Sequence, residues 1–277
     1  MTNNTNILPW GKLLEKDAAG FIVNDCHEDK ILPPWTNLVA ELRETCEKVW
    51  SSRLQGLYLR GSVPRGLAMI QVSDLDSFAI LSGEITDDDL NLAKDISDQM
   101  KKRYLFCKKV ELILLNLPII QENDSIWPGI IQTKSLKIAG NDRNLNLLNL
   151  PQFKPGFYLV NYAYSWENDL AKTLDILAQL PPHNLRFSAE VKKQCGWIAR
   201  RMVRTGFELV MEVDQSYTPD LYYCYERFSA YFPEKQGAMK KALELAIAPS
   251  GNRPGLILFL RGFGRWLVSA VNSKFNL

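Results

Sequence analysis

Histidine is nearly absent from this chain: only His27 and His183 occur in 277 residues. That leaves no basis for a histidine triad or a histidine-rich metal centre, and each of the two reads as a surface or packing residue. The five cysteines, Cys26, Cys46, Cys107, Cys195 and Cys224, show no Cys-x-x-Cys pairing. Their scatter argues against a zinc site and fits thiols kept reduced in a cytoplasm, the expected compartment. No basic segment followed by an apolar stretch opens the chain, so no secretory signal is expected. The longest late apolar run, Leu256 to Val271, is interrupted by Arg261 and Arg265 and reads as too short to span a bilayer, so no membrane partner is expected. Nor is there a large excess of either charge, with 33 Lys and Arg against 31 Asp and Glu. A balance of that kind gives little support to broad nucleic-acid binding. What the chain has is apolar residues, 46% of the total, enough for a soluble globular core, and carboxylates to carry chemistry.

The most informative stretch is Leu57 to Leu81, LYLRGSVPRGLAMIQVSDLDSFAIL. An apolar run ends at Gly61-Ser62, a tight loop follows, and Asp74 and Asp76 flank Leu75 at the start of a second apolar run. On a strand, alternate side chains share a face, so the two aspartates lie on one face about 7 Å apart at Cα while Leu75 faces the other way. Two such carboxylates suit Mg²⁺, which takes one or two carboxylates and completes its shell with water and phosphate oxygens. Gly61 lets the backbone approach a phosphate, and Ser62 offers a hydroxyl and an N–H. A helix beginning near Val63-Pro64 would turn its first N–H groups toward the same anion.

A third carboxylate, Glu111, interrupts the apolar run Lys109 to Leu115. Burying an unpaired carboxylate is costly, so Glu111 has a cationic partner or belongs with Asp74 and Asp76. The bland alternative is an edge glutamate facing solvent beside Lys108 and Lys109.

The pattern Gly61-Ser62, Arg65-Gly66, Ala68, Ser73-Asp74-x-Asp76, with Glu111 on a later strand, resembles the DNA polymerase β-like nucleotidyltransferase superfamily. Within it the likeness is to the minimal and the aminoglycoside nucleotidyltransferases, and it covers roughly residues 55 to 115. The resemblance implies a mixed-sheet α/β nucleotidyltransferase core followed by an α-helical C-terminal domain. It implies that Gly61 and Ser62, with Arg65 and Ser73 in the same motif, bind the triphosphate of ATP or another NTP. Asp74 and Asp76 would hold Mg²⁺ in a two-metal site, and Glu111 would be the third acidic ligand or the base that activates the acceptor hydroxyl. Arg60 departs from the pattern, which has an apolar or aromatic residue there; it is expected to point away and is given no role.

Domain boundaries are expected near 150: a catalytic domain over 1–150 and a helical domain over 151–277 that covers the nucleotide and acceptor cleft. From Pro151 onward 16 Lys and Arg face 11 Asp and Glu, so the second half is basic and the first acidic. Apolar spacing predicts a helix from Trp35 to Ser52 on Leu38, Leu42, Cys46 and Val49. Another opens at Thr86-Asp87-Asp88-Asp89 and runs to Arg103; its three aspartates read as a capped, dipole-matched first turn rather than a metal cluster. Asn116 to Pro155, rich in Asn, Pro and Gly, reads as a linker or a wrap around the site mouth, with Gly140-Asn141-Asp142 a turn. Ser188 to about Met211 is the clearest helix of the second half. Val191, Cys195, Ile198, Met202 and Leu209 form its apolar stripe, opposite Lys193, Trp197, Arg200 and Arg204. The resemblance suggests that Lys193 and Arg200 touch the phosphates. The tyrosines of Thr218 to Phe232 read mainly as packing.

Transfer of a nucleoside monophosphate to a small hydroxylated acceptor such as an aminoglycoside is the expected activity. Transfer to a protein side chain or an RNA end, and a catalytically silent nucleotide-binding regulator, are the alternatives. Glu84, Glu122, Asp124 and Asp142 are candidates for an acidic mouth suited to a cationic acceptor.

Overall fold

The structure, a computed structural model, describes residues 7–123, 125–140, 150–181 and 187–276. His183, Asp124, Asn141 and Asp142 lie outside them. The chain forms two compact units. One is Glu15–Phe153, and the other joins the segment up to Leu14 to the chain from Lys154 on.

The first unit is built on a mixed four-stranded sheet. In chain order it holds α1 (Trp35–Trp50), β1 (Leu54–Arg60), β2 (Leu75–Leu81), α2 (Asp87–Arg103), β3 (Val110–Asn116), α3 (Leu117–Gln121), α4 (Trp127–Lys134) and β4 (Ser135–Ala139). The spatial order is β3-β2-β1-β4, with β2 parallel to β3 and β1 antiparallel to both β2 and β4. One face presents Leu57, Leu59, Leu75, Ala79, Leu81, Val110, Leu112 and Leu114 to α1 and α2, whose Trp35, Leu38, Leu42, Cys46, Trp50, Ile96 and Met100 complete the larger core. At about 1.5–3 kcal/mol for each large aliphatic side chain removed from water, this cluster dominates the unit's stability. The other face carries Tyr58, Phe78, Ile80 and Leu115, packed with Ile120, Ile130 and Trp127. Tyr58 stacks on Phe78 with ring centroids 4.9 Å apart.

Two expectations change here. The stripe of α1 continues from Cys46 to Trp50, four residues on, whereas Val49 is exposed. The segment Asn116 to Pro155 contains α3, α4 and the edge strand β4 rather than only a loop. The short SLKIA run lies among turn-forming residues and shows its strand character only once paired with β1.

The acidic start of α2 is a cap. The Thr86 hydroxyl accepts from the Asp89 N–H and the Asp89 carboxylate accepts from the Thr86 N–H, a reciprocal capping box. Buried Asp89 also accepts from Trp50 Nε1 at 2.9 Å and from both terminal nitrogens of Arg53 at 3.0 Å, tying α2 to the end of α1. Burial works against its ionisation, but the hydrogen bonds from Arg53, Thr86 and Trp50 outweigh it and hold its carboxyl well below the usual range. Stability from this group is therefore present above the ordinary carboxylate pKa and lost as pH falls toward the lowered value. Asp89→Ala should destabilise the protein by about 2 kcal/mol, read as a lower urea midpoint, because it removes a cap and orphans the buried Trp50 N–H. An unchanged midpoint would show that the network does not hold the sheet layer together.

The second unit is helical: α5 (Tyr162–Gln179), α6 (Phe187–Glu208), α7 (Met211–Asp214), α8 (Leu221–Tyr231), α9 (Gln236–Ile247) and α10 (Arg253–Phe275). The stripe of α6 is buried as expected at Val191, Cys195, Ile198 and Met202, and Trp197 is exposed. The Glu208 carboxylate, also buried, accepts from the N–H groups of Asn161, Tyr162 and Ala163 and so caps α5. On α8, Cys224 and Phe228 are buried while Tyr222 rests against Tyr223 and Tyr225, a packing arrangement. The N-terminal segment is held by Lys12 N–H donating to Asp220 (2.9 Å) and by Thr218 Oγ1 donating to the Lys12 carbonyl (2.7 Å).

The late apolar run is longer than expected. It lies within a 23-residue helix that is long and apolar enough to cross a membrane. Within this unit, however, Leu256, Leu260, Leu267 and Val271 form a buried stripe, and Trp166 Nε1 donates to the Gly264 carbonyl at 3.0 Å. Arg261 and Arg265 are exposed, and the helix runs on past them, its winding changing from α to π over Leu260–Gly264 and returning to α at Arg265.

Candidate active site

Strand pairing assembles the site at one end of the sheet. Arg60 on β1 sits opposite Asp76 on β2, and Asp76 sits beside Glu111 on β3. Alternation puts these three on the face of Tyr58, Phe78 and Leu115, with Asp74 one pleat before Asp76. Asp74 immediately precedes β2, and its position is fixed by the Leu75 N–H donating to the Lys109 carbonyl at 2.8 Å.

Gly61 turns the chain out of β1 with φ +81°, and a Cβ there would stand 2.8 Å from Asp76 Oδ2. Only a hydrogen at that position admits the carboxylate so close to the backbone. Ser62 follows in helical conformation, and its carbonyl accepts from the N–H groups of Arg65 (3.3 Å) and Leu67 (2.9 Å). The helix expected at Val63-Pro64 is one 3₁₀ turn, Val63–Arg65, closed by Gly66 at φ +72°. With no longer helix there, an anion would meet the N–H groups of the Gly61-Ser62 turn rather than a helix dipole.

Arg65 and Ser73 shape the loop. Buried Arg65 donates through Nε to Asp25 Oδ2 at 3.3 Å, and Lys30 Nζ meets the same carboxylate at 2.5 Å. Ser73 Oγ accepts from the Met69 N–H at 2.9 Å, the Ser73 N–H returns to the Met69 carbonyl at 2.9 Å, and the Lys108 N–H reaches the Ser73 carbonyl at 3.2 Å. The residue before Asp74 is thereby pinned.

Glu111 has cationic partners, the first of the options its sequence context left open. Arg60 Nη2 donates to Oε2 at 2.8 Å and Lys109 Nζ to Oε1 at 2.6 Å. Arg60 therefore points into the row of carboxylates, contrary to the expectation that it turns away. Its place two residues after Tyr58 was the available signal, but using it required the pairing of β1 with β2. Partial burial of Glu111 opposes ionisation, yet the hydrogen bonds and charges of Lys109 and Arg60 prevail and its pKa is lowered. Asp76 is shifted the other way. Burial raises its pKa, Glu111 and Asp74 raise it further, and Arg60 and Lys109 only partly offset them.

The donor set fits one divalent cation better than two. Asp74 and Asp76 supply hard oxygens on one side of the sheet, and positive charge there would relieve the crowding that raises the Asp76 pKa. Among the described residues no three His, Cys, Asp or Glu side chains gather as metal ligands, and Glu111 is engaged by Arg60 and Lys109. Lys193 and Arg200 lie one helical repeat of seven residues apart on α6, in the helical unit. Lys193 is exposed and pairs with Glu190 at 3.4 Å, and Arg200 is half-buried beside Gly196.

No family model matches the sequence, and no curated protein does. Among solved structures, the chain is similar to the spectinomycin adenyltransferase AAD(9) from Enterococcus faecialis, crystallised with ATP and spectinomycin. The TM-score is 0.49 and the identity 14%, over 86% of this chain and 99% of that one. A toxin–antitoxin crystallised with AMP-PNP aligns at TM-score 0.29 and 14% identity, over 51% of this chain and 94% of that one. At these values what the site does is decided by its own residues.

Proposed function

We propose that this chain is a Mg²⁺-dependent nucleotidyltransferase that moves a nucleoside monophosphate from ATP or another NTP to a hydroxyl of a small acceptor such as an aminoglycoside. The observation that carries this reading is the row in which Gly61 backs Asp76, Asp74 precedes it and Glu111 lies beside it on β3. Asp74 and Asp76 would hold Mg²⁺, which when bound supplies positive charge to the phosphate oxygens. The N–H groups of the Gly61-Ser62 turn and the Ser62 hydroxyl would hold the triphosphate. The acceptor oxygen bonds to the α-phosphorus, the bond between the α-phosphorus and its bridging oxygen breaks, and pyrophosphate leaves. Glu111, kept ionised by Lys109 and Arg60, would take the acceptor's hydroxyl proton. Glu84 and Glu122 are exposed but follow the ends of β2 and β3 opposite Asp76 and Glu111, so they form no acidic mouth at this site and the small acceptor is proposed from the resemblance alone.

Glu111→Gln tests the assignment of the base. It should lower transfer by about 10²- to 10³-fold with Mg-ATP affinity kept, measured by transfer assay and calorimetry. Loss of metal binding instead would make Glu111 a ligand, and unchanged transfer would leave it a structural partner of Arg60. Lys193 and Arg200 complete the proposal as phosphate contacts. The double change to Ala should weaken nucleotide binding, more at low salt than at high salt. Equal affinity at both salt levels would make that face of α6 ordinary surface.

A further inference from the structure

We propose that Arg60 is a resident cation of the carboxylate row: by holding Glu111 it restricts the site to one divalent ion, carried by Asp74 and Asp76. This rests on the metal site proposed above. Asp74, Asp76 and Glu111 come to one end of one sheet face, where three carboxylates without compensation would repel strongly in partly buried surroundings. Arg60 answers that charge from within the sheet. It stands in register with Asp76 and reaches past it to Glu111 at 2.8 Å, spanning all three strands. Lys109 also binds Glu111, but its side chain is 56% exposed against 27% for Arg60, so water screens it and lets it swing away. Arg60 issues from the last residue of β1 and is held by the strand.

With both cations in place, the row keeps a single net negative charge. That suits one ion on two carboxylates, with phosphate oxygens and water completing its shell. Glu111 accepts from both Arg60 and Lys109, and among the described residues no three His, Cys, Asp or Glu side chains gather as metal ligands. Removing the guanidinium would free Glu111 and return one negative charge to the row, enough to admit a second ion. A lysine at the position would keep the charge and the restriction.

The test is the number of Mn²⁺ ions bound by the full chain without nucleotide, counted by electron paramagnetic resonance for wild type, Arg60→Gln, Arg60→Lys and Asp76→Asn, with circular dichroism to confirm folding. Wild type and Arg60→Lys should each bind one ion. Arg60→Gln should bind a second and hold the first on the order of tenfold more tightly, because a nearby like charge is gone. Two ions in the wild type, or a single ion of unchanged affinity in Arg60→Gln, overturns the role of Arg60 and leaves the nucleotidyltransferase proposal standing. No ion in the wild type, or equal binding by Asp76→Asn, overturns the metal site itself.

Discussion

Asp76→Asn, and equally Asp74→Asn, should lower nucleotidyl transfer by roughly 10³-fold or more while leaving the protein folded. A bound cation contributes several kcal/mol of charge stabilisation to phosphoryl chemistry, and each 1.36 kcal/mol is about tenfold in rate. Asparagine keeps the shape of the side chain and removes the charge that holds the ion. The Asp76 change has a second, opposite signature. Burial beside Glu111 and Asp74 raises its pKa in the fold. A group whose folded pKa is raised gives stability that is present below its unfolded pKa and lost as pH climbs through the folded value. At neutral pH the ionised carboxylate is therefore a burden on the fold, and Asp76→Asn should melt no lower than wild type. Inactivity combined with undiminished stability separates a functional carboxylate from a structural one. A variant that keeps wild-type transfer would remove Asp76 from the mechanism.

Gly61→Ala should cost both activity and stability. The backbone there has φ +81°, where an L-residue costs roughly 1–2 kcal/mol. The added methyl would also stand 2.8 Å from Asp76 Oδ2, so the carboxylate must move. A shift near 1 Å at a reacting centre costs about 10²-fold in rate. The expected result is a fall in turnover of that order with a lower melting temperature, in contrast to Asp76→Asn. Full activity in Gly61→Ala would show that Asp76 is not held against this turn for catalysis.

Much of this site was legible in the chain because its determinants are local. Asp74 and Asp76 flank Leu75 in a two-residue alternation, and the structure places Leu75 in one core with the row on the opposite face. The Thr86 to Asp89 cap and the α6 stripe were readable for the same reason, since each is decided within one or two helical turns. The rest depends on partners distant in sequence. Arg60 meets Glu111 across 51 residues and through an intervening strand, so nothing around Arg60 announces the contact. Lys12 meets Asp220 across 208 residues, which is why the N-terminal segment's place in the helical unit could not be read from its composition. β4 is five residues long and unremarkable alone; its pairing with β1 makes it a strand. Arg261 and Arg265 looked like breaks in an apolar run, but on a helix they fall on the exposed side and the run continues past them.

The most direct measurement uses ATP labelled at the α-phosphate and, in parallel, at the γ-phosphate, incubated with the protein, Mg²⁺ and separately an aminoglycoside panel, total tRNA and cell protein, with each other NTP tested in the same way. Nucleotidyl transfer predicts that the α-label becomes covalently attached to an aminoglycoside while the γ-label leaves as pyrophosphate, and that Asp76→Asn does neither. Label in tRNA or in protein alone would change the acceptor and keep the chemistry. γ-Label on the acceptor, or no attachment of α-label to any acceptor with any NTP, would contradict nucleotidyl transfer as the function of this chain.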